Sequence, residues 1–158
     1  MDRLDALTDL CEYLKNWFDD GCTVHVGTIT IAEGTIQCSC DFLGTKDISI
    51  ANGQYFRITG SVFNSGIHLY PDDGLVDEVF EGTVTPLKIP NVILTLLDDI
   101  ITWRDKYEGA DSTAMSPYTS ESFAGYSYSK AGAGGNSGSG LGGWQAAFKN
   151  RLTHWRKI

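Results

Sequence analysis

The sequence predicts an α+β protein with an N-terminal helix, a central small twisted β-sheet or partial barrel, a second helix, an extended Gly/Ser-rich arm and a C-terminal helix. Three observations lead there. Apolar residues recur at helical spacing near both ends and again from 91 to 107, short β-rich runs fill 22–85, and glycine and serine dominate 110–143. At 158 residues the chain suits one domain, since a domain of that size buries about 68–70% of its extended-chain surface.

Leu4, Leu7, Leu10, Cys11, Leu14, Trp17 and Phe18 follow at three- and four-residue steps, with Asp2, Asp5, Asp9 and Glu12 opposite them. That is the stripe of an amphipathic helix, expected over 2–18, with Asp2 as its cap and Gly21 where it must end.

The runs 23–31, 35–42, 47–50, 54–60, 67–70 and 78–85 are rich in β-branched and aromatic residues. Asn52-Gly53, Asn64-Ser65-Gly66 and Pro71-Asp72-Asp73-Gly74 divide them with turn chemistry, which predicts a meander of about half a dozen strands. The alternation slips at Gly27, between Val24/Val26 and Ile29/Ile31, and a bulge there would restore the inward face.

Pro90 or Asn91 opens a second helix over 91–107, with Ile93, Leu96, Leu97, Ile100, Ile101, Arg104 and Tyr107 on a stripe broad enough to pack on two sides. One neighbour could be the first helix or the sheet, the other a second subunit. The following stretch is too poor in branched aliphatics to form much core, yet Phe123, Tyr126 and Tyr128 stand out within an arm over 110–130. Residues 131–143 read as a flexible tether. In the final segment, 144–158, Trp144, Phe148, Leu152 and Trp155 share one helical face. Two arrangements would bury that face: the helix folds back on its own core, or it docks on another subunit, as Trp and Arg often do at binding hot spots.

Charge is uneven along the chain. Residues 144–158 carry +4 through Lys149, Arg151, Arg156 and Lys157, which leaves the rest of the −8 chain at −12. The basic tail suits an acidic protein or nucleic acid, but the acidic body argues against DNA as a tight ligand. No apolar run approaches the roughly 20 residues of a membrane helix. The first residues carry acids where a secretory signal would carry bases, so no membrane partner is expected and synthesis is expected in the cytosol.

The search for chemistry yields no recognisable enzyme. Cys22, His25, Cys38 and Cys40 could be arranged around zinc, but residues three apart on a strand point to opposite faces, and reduced buried thiols are the expectation. Asp72, Asp73, Asp77, Glu78 and Glu81 match no calcium-loop register and read as a solvated face. His68 beside Asp72 and Asp73, with Ser61 or Ser65 as nucleophile, can be imagined as a triad, which only geometry can establish. No catalytic residue, cofactor or metal is expected.

Three stretches and the ending carry a family likeness. They are Gln54-Tyr55-Phe56-Arg57-Ile58-Thr59-Gly60-Ser61-Val62-Phe63-Asn64-Ser65-Gly66, then Asp77-Glu78-Val79-Phe80-Glu81-Gly82-Thr83, then Ser120-Glu121-Ser122-Phe123-Ala124-Gly125-Tyr126-Ser127-Tyr128-Ser129. With Trp144 to Phe148, Leu152 and Trp155-Arg156-Lys157-Ile158 they resemble head-tail connector (adaptor, head completion) proteins of long-tailed bacteriophages and prophages, over about residues 53–158.

The resemblance implies a non-enzymatic virion protein at the head-tail interface, assembled in the host cytoplasm. It implies a homo-oligomeric ring, most often a dodecamer, that binds the portal protein and offers a surface to the downstream neck or tail protein. DNA would pass through without specific binding, past acids that repel phosphate. Residues 1–130 would form the connector domain, with 144–158 as a docking helix. The interface residues so implied are Trp144, Phe148, Leu152, Trp155, Arg156 and Lys157, joined by Phe123, Tyr126 and Tyr128. The long β segment departs from the many connectors that are almost wholly helical. A second class of function also fits the residues: a small β-barrel binding oligosaccharide or nucleic acid, which would need aromatic stacking platforms on an exposed sheet face.

Overall fold

The computed structural model describes residues 2–19, 24–40, 44–108, 120–123, 126–129 and 143–158 of a mixed α+β chain. Residues 16–90 form one unit, and the residues on either side of them form the other.

In the first unit six strands build one antiparallel sheet: β1 (His25–Ala32), β2 (Thr35–Cys40), β3 (Gly44–Asp47), β4 (Tyr55–Thr59), β5 (Gly66–Leu69) and β6 (Glu78–Pro86). Their order is β3-β2-β1-β6-β4-β5, with β3 and β5 as open edges, so the sheet is not a barrel. Strand alternation puts Ile29, Ile31, Ile36, Cys38, Phe56, Ile58, Phe80 and Val84 into one core, joined by Ile48 and Ile50, with Tyr70 and Leu75 packed against it. Cross-strand partners such as Ile31↔Ile36, Ile29↔Phe80 and Ile58↔Val84 meet inside it. Each fully buried side chain of this size contributes about 1.5–3 kcal/mol.

The bulge expected at Gly27 is absent. The β1–β6 ladder runs unbroken from His25↔Val84 to Ile31↔Glu78, and Gly27 faces Gly82 within it. A side chain has no room at this crossing: a Cβ on Gly27 would stand 2.5 Å from the Ser39 carbonyl oxygen, and one on Gly82 2.2 Å from that of Thr59. Because the register never slips, Val26 stays on the face opposite Ile29 and Ile31 and is exposed.

The first helix of the second unit, α1 (Arg3–Leu14), starts where the Asp2 carboxylate accepts the Leu4 N–H at 3.1 Å. It closes four residues before the expected end at Phe18, because Lys15 adopts the left-handed conformation and its N–H bonds the Glu12 carbonyl at 3.1 Å. Trp17 and Phe18 belong to the sheet unit instead: Phe18 accepts the Lys88 N–H at 2.8 Å, and the Arg57 guanidinium lies 3.7 Å from the Trp17 ring centroid.

α2 (Asn91–Tyr107) buries Ile93, Leu96, Leu97, Ile100, Trp103 and Tyr107. It lies against α1 and against α3 (Trp144–Ala147), so both neighbours of its broad stripe are found within the unit. Arg104 bonds Asp9 at 2.7 Å, and Arg3 pairs with Asp98.

The closing segment is not one continuous helix. Phe148, at φ −105° and ψ 12°, separates α3 from α4 (Lys149–Leu152), and a 3-10 turn over Thr153–Trp155 follows. The Thr153 hydroxyl bonds back to the Lys149 carbonyl at 2.7 Å, which tightens that last turn. Phe148 N–H to Trp144 O and Leu152 N–H to Phe148 O, both 3.0 Å, preserve the four-residue spacing of the apolar face.

Within the expected arm, β7 (Ser120–Phe123) and β8 (Tyr126–Ser129) double back as an antiparallel pair, from Ser120↔Ser129 to Phe123↔Tyr126, rather than running as one extended strand. The tether over 131–143 lies outside the described residues except for Gly143.

Candidate functional site

The most constrained polar group in the sheet unit surrounds the turn from β4 to β5. Gly60, at φ +90°, passes so close to β6 that a Cβ there would stand 2.6 Å from the Glu81 carbonyl oxygen. Beyond it the chain is pinned by two buried polar side chains, Ser61 and Asn64, the latter only 2% exposed. The Ser61 hydroxyl donates to the Glu78 carboxylate and accepts the Asn64 N–H at 2.6 Å. The Asn64 amide donates to Val76 O at 2.9 Å and to Glu78 Oε2 at 3.1 Å, while its oxygen accepts the Val76 N–H at 2.8 Å. Val62 N–H reaches Glu78 Oε1 at 3.0 Å.

Hydrogen bonding stabilises the ionised form of a carboxylate. The Glu78 carboxyl is held below its ordinary range first by the Ser61 hydroxyl, then by the N–H groups of Val62 and Phe63 and by Asn64, with desolvation opposing them.

The clamp buries Ser61 and Asn64 and leaves its apolar residues outside. Val62 is 81% exposed and Phe63 69% exposed. Neither can turn inward while Ser61 and Asn64 on either side keep their bonds. This turn was legible only as turn chemistry; the available signal was two adjacent large apolar residues between Gly60 and Asn64.

The imagined triad is not assembled. His68 Nδ1 meets Asp72 Oδ2 at 2.7 Å, but His68 Nε2 faces the Asn64 carbonyl oxygen at 2.8 Å rather than a hydroxyl. The Ser65 hydroxyl donates to the Ser61 carbonyl, and Ser61 is engaged with Glu78. These residues serve the loop's shape.

The acids also hold separate donors: Asp72 takes the Gly74 N–H at 2.8 Å, Asp77 the Glu33 N–H at 2.9 Å, and Glu81 the Thr28 hydroxyl. Among the described residues no three His, Cys, Asp or Glu side chains converge as metal ligands. Cys22 of the imagined zinc set lies outside those residues. Cys38 and Cys40 have their sulfurs 3.5 Å apart, and burial, followed by the Cys40 neighbour, pushes the Cys38 thiol up to about 11.

The outer sheet face presents Thr28, Thr30, Gln37, Ser39, Glu81 and Thr83. Tyr55 is buried, and Tyr70 packs edge-on to Phe56 at 6.4 Å, so neither tyrosine is a stacking platform on that face.

The expected interface residues of the tail divide in two. Trp144, Phe148 and Leu152 are 4%, 4% and 1% exposed. Trp144 meets Tyr13 edge-on at 5.4 Å and Phe148 meets Trp103 at 6.5 Å, which is the fold-back arrangement. Trp155 is half-buried, and Arg156 and Lys157 are exposed in extended chain after the 3-10 turn. The Lys157 N–H bonds the Leu14 carbonyl at 2.8 Å, capping the end of α1. Phe123, Tyr126 and Tyr128 lie on the β7–β8 pair, and their side chains fall outside the described residues.

Among the described residues no helix is long and apolar enough to cross a membrane. Comparison with protein-family models, curated proteins and solved structures found no match for this chain.

Proposed function

We propose that the protein is a structural subunit of a phage head-tail connector: a homo-oligomeric ring that joins the portal to the downstream neck or tail protein and lets DNA pass. One observation carries the reading. The stretches 54–66 and 77–83, which resemble connector proteins, are the two that the Ser61–Asn64–Glu78 clamp ties together. That clamp fixes Val62 and Phe63 in solvent. A loop braced by buried polar groups so as to expose apolar side chains is suited to binding another protein, because little conformational entropy is lost on docking. Serine and histidine groups committed to such bracing are poorly placed for hydrolysis.

The acidic body supports passage of DNA, since like charge leaves the polyanion free to slide. Buried Trp144, Phe148 and Leu152 shape the tail, and exposed Arg156 and Lys157 face a partner. Mass measurement of the chain mixed with the portal ring from the same genome tests the reading. A complex of fixed stoichiometry is expected; no association at micromolar concentrations overturns it.

A further inference from the structure

We infer that the clamped loop carrying Val62 and Phe63 is one half of a head-to-tail contact between copies of this chain, whose other half is the Arg156-Lys157-Ile158 segment of a second copy. This rests on the ring reading above and names the surfaces that would build the ring.

The first surface is apolar at its tip and acidic around it. Val76, on the strand of chain bonded to Asn64, is exposed, as are Asp73 and Asp77 beside it. Glu78, whose carboxyl is held below its ordinary range by its hydrogen bonds, adds a further negative charge. A matching partner must offer an apolar group beside cations. The tail does so: Arg156 and Lys157 are exposed, Ile158 is the most exposed large apolar side chain described, and no acid lies among residues 144–158. The nearby Arg151 is engaged by Asp99 at 2.6 Å and Lys149 lies back on α4, so Arg156 and Lys157 are the exposed cations that adjoin Ile158.

Both surfaces are held in fixed shape before they meet. The loop is braced by Ser61, Asn64 and Glu78, and the tail is anchored by the Lys157 N–H on Leu14 and by the Arg156 guanidinium over the Tyr13 ring. Two different patches on one chain make a heterologous contact, and such contacts close into rings or extend into filaments. Opposite charge also steers the encounter, so association should weaken as salt rises.

Light scattering and native mass measurement of the full chain test this contact with Phe63→Ser, Asp73→Lys/Asp77→Lys and Arg156→Glu/Lys157→Glu. Phe63, Asp73 and Lys157 are exposed, whereas Asp77 also accepts the Glu33 N–H and Arg156 lies over the Tyr13 ring. Circular dichroism and melting therefore accompany each variant, and the single Asp73→Lys and Lys157→Glu changes separate a lost contact from lost local structure. Each of the three variants is expected to weaken self-association by about thirty-fold or more, as loss of a hot spot does. Combining the two charge reversals is expected to restore assembly. A mixture of the Phe63→Ser and the Arg156→Glu/Lys157→Glu proteins retains one intact loop and one intact tail, and should stop at a dimer. Assembly that persists in all three variants overturns this contact while leaving the ring itself intact. A wild-type chain that is monomeric at every concentration overturns the contact too, and portal binding then decides separately on the connector reading.

Discussion

Replacing Trp144 with alanine should destabilise the isolated subunit, because its indole is 4% exposed inside the helical unit. An aromatic side chain of this kind buries roughly 150–250 Å², which at about 25 cal/mol per Å² is worth about 4–6 kcal/mol. Trp→Ala substitutions in cores cost about 3–5 kcal/mol, and the edge-on contact with Tyr13 at 5.4 Å places this one toward the upper end. Since a domain's whole stability is about 5–15 kcal/mol, the effect is large. In urea unfolding followed by far-ultraviolet circular dichroism, a slope of about 1–3 kcal/mol per molar converts it into a midpoint lowered by roughly 2 M. Lys149→Ala, on the exposed side of α4, should stay within about 0.5 kcal/mol of wild type. An unchanged midpoint for Trp144→Ala, with assembly selectively lost, would refute the burial argument and place the indole against another chain.

Gly82→Ala should cost about 1–3 kcal/mol of stability in the same assay, since its Cβ would lie 2.2 Å from the rigid Thr59 carbonyl; a neutral effect would mean that β4 and β6 are not so closely apposed. The lowered Glu78 carboxyl contributes stability above the ordinary glutamate value of about 4.3, and loses it as pH falls through its folded value. Glu78→Gln should therefore flatten the acid limb of a stability-versus-pH curve below about pH 4, and identical acid limbs would contradict the clamp. Cys38, at about 11 against an ordinary 9.0, has about a hundred-fold less thiolate at neutral pH. Mass-mapped alkylation should label it slowest among thiols of similar exposure, and rapid labelling would exclude its burial.

What could be read from the sequence was what depended on near neighbours. Pro90 and the four-three spacing place α2, and alternating β-branched residues place the strands between fixed turn signals. The stripe expected through Ile101 and Arg104 leaves out Trp103, which follows the same spacing as Leu96, Ile100 and Tyr107 and is buried with them. Trp17 and Phe18 continue the helical period of α1 and still leave it, since their partners Arg57 and Lys88 are remote in sequence. Gly27 looks like a bulge until Gly82 is known to face it. The loop over 61–65 reads as an ordinary turn for the same reason: Glu78, which braces it, cannot be assigned to Ser61 by any local pattern.

The helical unit is assembled from two stretches of chain with the entire sheet unit between them. Arg3 and Asp98, like Asp9 and Arg104, meet across 95 positions. During synthesis at about 5–20 residues per second, α1 would emerge several seconds before α2 exists to receive it. A twelve-residue helix is marginal alone in water, so its leucines would stay uncovered until α2 is made, while the sheet, whose β1 waits for β6, can close before then. Folding order is thereby written into connectivity, with the sheet early and the helices late. Pulse-labelling during refolding should protect β1, β2 and β6 before α1; protection of α1 first would reverse that order.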